Sequence, residues 1–136
     1  MNSPENLKYT RAHEWGEVLP DGAARVGLTD HAQDALGDLV FVNLPEAGDA
    51  VTAGEALGDV ESVKAVSDIF CPVTGTVRAA NEALLDTPEA INADPYGAWL
   101  IQVEQMTDEE ELLDAAAYEA HCAEPTGAAW HRAEGL

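Results

Sequence analysis

Lys64 is one of only two lysines in a chain of 136 residues that carries 26 Asp and Glu. It lies in Gly58-Asp59-Val60-Glu61-Ser62-Val63-Lys64-Ala65-Val66-Ser67-Asp68. Its neighbours are small or β-branched, a composition suited to a tight hairpin with one long side chain projecting. On composition and spacing alone it reads as an exposed surface lysine with acids on both sides, at Asp59, Glu61 and Asp68. Scarcity sets it apart, because a surface so poor in lysine keeps one at the tip of a turn. Other residues could carry chemistry. Ser62 or Ser67 could be combined with a histidine and an acid into a hydrolytic triad, but neither sits in a Gly-x-Ser-x-Gly elbow. His13, His31, His121 and His131 show no zinc-ligand spacing, so no metal centre is expected. Cys71 precedes Pro72 in an apolar stretch, where a buried, inert thiol is expected. No catalytic residue is assigned, and the chain is expected not to be an enzyme.

The elements that must hold Lys64 are short. Between Tyr9 and Val103 the chain is punctuated every several residues by Gly, Pro, Asn or Asp. Val40 to Leu44, Val73 to Val77 and Trp99 to Val103 are rich in strand formers, the last following the turn Asp94-Pro95-Tyr96-Gly97. Many short strands with frequent turns predict a β-sandwich or small barrel. One helix is expected to interrupt them, capped by Thr29 or Asp30 and stopped by Gly37. A second is expected near the C-terminus. Thr107-Asp108-Glu109-Glu110 has the form of a capping box, and Leu112, Leu113, Ala116, Ala117 and Ala120 would form its apolar stripe. A faint repeat brackets the lysine: Gly48 precedes Gly54-Glu55-Ala56-Leu57 by six residues, and Gly75 precedes Asn81-Glu82-Ala83-Leu84 by six. Gly and Asn both tolerate the left-handed backbone of tight turns.

Charge narrows the function. Only six Lys and Arg oppose the acids, giving a formal net charge of -20. No basic surface can be assembled to displace counterions from nucleic acid, and an anionic membrane would repel the chain. A hydrophobic content of 46% argues for a folded domain despite the charge. The start, Met1-Asn2-Ser3-Pro4-Glu5-Asn6, resembles neither a secretory signal nor a transit peptide, so a cytoplasmic protein with reduced Cys71 and Cys122 is expected. Scarce lysine with abundant acid also fits a salt-adapted cytoplasm.

Glu61-Ser62-Val63-Lys64-Ala65 resembles the attachment motif of the glycine cleavage H-protein family, in which the lysine carries lipoate as an amide. Other blocks resemble that family in the same order. They are Lys8-Tyr9-Thr10 with His13-Glu14-Trp15, Gly27-Leu28-Thr29-Asp30-His31-Ala32-Gln33 with Leu36-Gly37-Asp38, and Leu44-Pro45-Glu46-Ala47-Gly48. Pro72-Val73-Thr74-Gly75, Asn81-Glu82-Ala83-Leu84 and Asp94-Pro95-Tyr96-Gly97 follow. The resemblance spans roughly residues 7 to 122.

It implies a mainly β barrel-sandwich hybrid, like lipoyl domains, with short helices and a C-terminal helix. Residues 1–122 would form the carrier domain and 123–136 a poorly ordered tail. It implies lipoate on Lys64, with Glu61, Ser62, Val63 and Ala65 forming the recognition motif. The implied partners are glycine decarboxylase, the tetrahydrofolate-dependent aminomethyltransferase, dihydrolipoamide dehydrogenase and the lipoate-attaching enzymes. A monomer is expected. In the family the aminomethyl-loaded arm folds into a cleft on the carrier, and Glu14 and Asp68 match positions near it. Two departures stand out. Tyr96-Gly97-Ala98-Trp99 is shorter than the family's usual segment, and Ala12 stands where a hydroxyl residue is common. A lipoyl domain of a 2-oxoacid dehydrogenase complex, or a relay of lipoate to other enzymes, is the nearest alternative. The former would have Asp before the lysine where this chain has Val63, and a small hydrolase is the alternative from a different class.

Overall fold

The computed structural model describes residue 4, residues 6–109 and residues 112–122. The chain forms β1 (Lys8–Tyr9), β2 (Glu14–Val18), β3 (Ala24–Leu28), α1 (Asp30–Leu36), β4 (Leu39–Asn43) and β5 (Ala50–Val51). It continues with β6 (Ala56–Ser62), β7 (Val66–Phe70), β8 (Val73–Ala80), α2 (Ala83–Asp86), α3 (Ala90–Ala93), β9 (Ile101–Glu109) and α4 (Ala115–Cys122). The strands make two antiparallel sheets, one of six in the order β1-β2-β3-β9-β8-β5 and one of three in the order β4-β6-β7. This is the mainly β sandwich the sequence predicts. Among the described residues no helix is long and apolar enough to cross a membrane.

The core lies between the sheets. Val26 and Leu28 from β3, Val42 from β4, Leu57 and Val60 from β6, Ile69 from β7, Val77 from β8 and Ile101 and Val103 from β9 are buried together. Alternation is plain along β7, where Ser67 and Ile69 are buried on either side of exposed Asp68. Bulges in the β4–β6 and β6–β7 pairings set the buried apolar residues of β4 and β6 three apart. A second cluster of Leu7, Tyr9, Trp15, Ala115 and Tyr118 seats α4 against the first strands. Trp15 is almost fully buried and its indole nitrogen donates to the Pro95 carbonyl at 3.1 Å. The ring crosses Gly27 so closely that a Cβ there would lie 2.5 Å from it, so any larger residue at this strand position would force the buried ring to shift.

Helix α1 forms as its sequence dictates. The Thr29 hydroxyl accepts from the Ala32 amide at 3.1 Å, and Gly37, at φ 84°, donates to the Gln33 carbonyl and ends the helix. The C-terminal helix does not open at Thr107. Strand β9 continues through Glu109, pairing Asp108 with Thr74 and Glu109 with Val73. A capping pattern contributes only about 1 kcal/mol and yields to the ladder that β8 offers over the same residues. Asp114 starts α4 instead, accepting from the Ala117 amide at 2.8 Å. Its buried face is Ala115 and Tyr118, while Ala116, Ala117 and Ala120 are exposed.

The repeat is partial. Strand β5 of the first copy pairs with β8 of the second, Ala50 opposite Thr76 and Val51 opposite Gly75. Only Gly48 and Gly54 of its four turn positions take positive φ, and Ala56-Leu57 open a strand where Ala83-Leu84 open a helix. The expected poorly ordered tail, residues 123–136, lies outside the described residues.

Candidate functional site

Lys64 stands at the tip of the β6–β7 hairpin, beyond the last strand pair Glu61 and Val66. Ser62 builds the turn. Its amide donates to the Ala65 carbonyl at 2.7 Å, and its buried hydroxyl accepts from the amides of Lys64 at 3.2 Å and Ala65 at 3.0 Å. A serine can close such a loop because its short hydroxyl reaches amides two and three residues ahead. The turn is also tied sideways: the Val63 amide donates to the Asp38 carbonyl at 3.1 Å, just after α1. The lysine stem passes over Gly37, where a Cβ would lie 3.4 Å from Lys64 Cε. Lys64 is exposed, and Val63 and Val66 beside it are 70% and 51% exposed. The backbone is held while the side chain is presented.

Glu14 occupies a different environment. It begins β2 and is 1% exposed. Its Oε1 accepts from the Thr10 hydroxyl at 2.6 Å, Oε2 accepts from the Phe70 amide at 3.3 Å, and its own amide donates to Thr10 Oγ1 at 3.1 Å. These bonds aim the carboxylate at a cavity of about 310 Å³ lined by Thr10, Arg11, Ala12, Glu14, Gly54, Phe70 and Cys71. Burial pushes the Cys71 thiol up to about 11 against the lowering effect of its bond to the Val73 carbonyl, and the Glu14 carboxylate adds to the rise. That thiol stays protonated at neutral pH. Ala12 presents a methyl group to the cavity where a hydroxyl would have offered a hydrogen bond.

Strand β7 connects the two features, starting beside the Lys64 turn and ending at Phe70 on the cavity wall. At a strand's rise β7 itself spans roughly 13 Å from residue 66 to residue 70. Glu61, Ser62, Val63, Lys64 and Ala65 thus share one turn, and Glu14 lines the cavity. Asp68 does neither. It is exposed on β7 opposite Asp59 and is not among the cavity residues. The two serines that a hydrolase would need have local bonds: Ser62 braces the turn, and the Ser67 hydroxyl donates to the Asp68 carbonyl at 3.3 Å. Gly37 and Asp38 read in the sequence as a helix stop and as part of a family block, and nothing local marks them as supports of the lysine turn. Thr10 was legible as part of a block but not as the partner of Glu14.

A lysine displayed on a braced hairpin of a β sandwich is the arrangement of a carrier protein, in which a long side chain extends from a fixed base. The family model for the glycine cleavage H-protein matches residues 7–125. A glycine cleavage system H protein of Lachnoclostridium phytofermentans is 56% identical over 119 residues, covering 88% of this chain and 94% of that relative. One from Halorhodospira halophila is 58% identical over 120 residues, covering 85% and 92%. The crystal structure of the glycine cleavage system H protein from Mycobacterium marinum superposes with a TM-score of 0.82 at 49% identity, covering 86% of this chain and 96% of that one. The chain belongs to the glycine cleavage H-protein family. Membership favours the glycine cleavage carrier over a 2-oxoacid dehydrogenase domain and over a hydrolase.

Proposed function

We propose that this chain is the lipoyl carrier of a glycine cleavage system, with lipoate joined as an amide to Nζ of Lys64. The observation that carries this reading is the Ser62-braced turn, which fixes the lysine backbone and leaves its amine open to solvent. The residues fit the group, since the stem lies over a glycine and is flanked by exposed valines rather than by walls. Lipoate supplies a long flexible arm ending in a redox-active dithiolane. The rest is done by the protein. Lys64 gives up its positive charge on acylation, and the turn keeps the arm's origin constant so that a tethered group meets each partner at high local concentration. The buried Glu14 carboxylate, oriented by Thr10 and the Phe70 amide, suits a cationic amine delivered to the cavity. Asp68 lies outside that cavity, on the hairpin that bears Lys64, where its charge belongs to the surface met by partners.

The partners on this reading are glycine decarboxylase, the tetrahydrofolate-dependent aminomethyltransferase, dihydrolipoamide dehydrogenase and the lipoate-attaching enzymes. The hard chemistry is done by their cofactors, so on this reading the chain itself is non-catalytic; it would act as a cytoplasmic monomer. A net charge of -20 favours steering toward basic docking faces, at rates that fall with added salt. Reconstitution with the three enzymes tests the reading. Lys64→Arg should fold normally and abolish glycine cleavage, and activity that survived this change would overturn it.

A further inference from the structure

Three residues far apart in sequence meet beside the start of β2, and none of them lines the cavity. His13 ends the turn before β2, with its amide on the Thr10 carbonyl at 3.2 Å and its backbone at φ 71°. His31 is in the first turn of α1, and Cys122 is the last residue of α4. One ligand atom from each lies within 4.8 Å of the other two. His13 is fully buried, while His31 and Cys122 are half-buried. The His13 and His31 rings stack at 4.3 Å, and Cys122 Sγ is 4.0 Å from His13 Nδ1. Beside them the Tyr118 hydroxyl lies 2.7 Å from His13 Nδ1 and 2.6 Å from Thr29 Oγ1. His121 stacks along His13 with ring centroids 5.5 Å apart and holds the Arg11 carbonyl at 2.9 Å.

The geometry points to a metal site formed by His13, His31 and Cys122 that takes a zinc-class divalent transition ion. Two imidazoles and one thiolate match the borderline-soft preference of such ions and not the oxygen preference of magnesium or calcium. A tetrahedral site with bonds of about 2.0 Å to nitrogen and 2.3 Å to sulfur puts donors about 3.3–3.7 Å apart. The three donors therefore close in by about 1 Å, with His31 turning out of its stack on His13. Both side chains that move are half-buried ones at element ends. As the metal–sulfur bond forms the S–H bond breaks, and its proton leaves to solvent. The fourth position is taken by water. The bound ion joins the first turn of α1 and the end of α4 to the residue preceding Glu14, so it clamps the C-terminal helix to the strand that bears the cavity carboxylate. Linear spacing carries no sign of this, because each ligand comes from a separate element.

The test uses the full chain in its unlipoylated form, so that no dithiol contributes and the outcome is independent of the carrier reading. Cobalt(II) added to one equivalent should give a thiolate-to-cobalt charge-transfer band with the intense visible bands of a tetrahedral ion, and zinc should displace both. Cys122→Ser should lose the charge-transfer band. His31→Gln, on the half-buried face of α1, should weaken cobalt binding at least tenfold while leaving the circular dichroism of the fold unchanged. Absence of a charge-transfer band at one equivalent overturns the site, as does a band that persists in Cys122→Ser. Equal affinity in His31→Gln also overturns it.

Discussion

Replacing Ser62 by alanine removes the atom that organises the carrier turn. The hydroxyl accepts two amide bonds, from Lys64 at 3.2 Å and Ala65 at 3.0 Å. The two losses differ in weight. Lys64 is exposed, so its amide rebonds to water, whereas Ala65 is half-buried and its amide is left poorly satisfied. Summed net effects of this kind amount to about 1–2 kcal/mol. For a chain of this length each kcal/mol shifts the melting temperature by about 3–4 °C, so Ser62→Ala should melt roughly 4–7 °C lower. Much of that loss should be local, with faster hydrogen exchange at the Lys64 and Ala65 amides than in the sheets. The same energy bears on function, because a turn that is no longer held must be reordered when an attaching enzyme docks. About 1.4 kcal/mol of added ordering cost corresponds to a tenfold lower kcat/KM for lipoate attachment to Lys64. Calorimetry, exchange by NMR and a kinetic attachment assay measure the three effects. An unchanged melting temperature together with an unchanged attachment rate would refute the role given to Ser62.

Two other changes probe the frame around the site. Gly27→Ala places a Cβ 2.5 Å from the Trp15 ring, and overpacking of this kind should cost about 1–3 kcal/mol, read by denaturant unfolding. Cys71 gives a pH signature. Its thiol is raised from an ordinary 9.0 to about 11 in the folded chain, so between those values the unfolded chain binds fewer protons. Stability should therefore be unaffected below pH 9 and fall toward pH 11, by at most about 1.4 kcal/mol per pH unit. Burial also pushes the Tyr9 and Tyr118 hydroxyls up and adds a fall of the same sign, so the Cys71 share is the difference from Cys71→Ala, whose profile should be flatter.

What the sequence discloses about this fold follows from how local each signal is. Thr29 and Gly37 bound a helix through contacts within four residues, and the structure has that helix at α1. The strand runs around Val42, Val77 and Val103 are equally plain, because alternation with turn residues needs no partner to be read. Thr107-Asp108-Glu109-Glu110 misleads for the opposite reason. Its capping pattern is local, while the strand that claims residues through Glu109 lies at Val73 and Thr74. The short helices α2 and α3 have no side-chain cap, and nothing in Glu82 or Glu89 marks them. At the site, the lysine turn is contiguous and was visible as a motif. The cavity is not contiguous: Glu14 faces it from β2, Phe70 and Cys71 from the end of β7, and Gly54 from the turn after β5. Asp68 and Phe70, two residues apart, share one face of β7, yet only Phe70 lines the cavity, because Glu14 meets the strand at the Phe70 amide, a long-range contact that spacing along one chain does not reveal.

On the proposed function, Lys64 is the residue that carries the lipoyl group. Intact-mass and peptide mass spectrometry on the chain produced in lipoate-supplied cells with active attaching enzymes tests it most directly. A single lipoyl increment is expected, located on the peptide containing Lys64 and absent from the peptide containing Lys8. An unmodified Lys64 under those conditions, or an increment on Lys8, would contradict it.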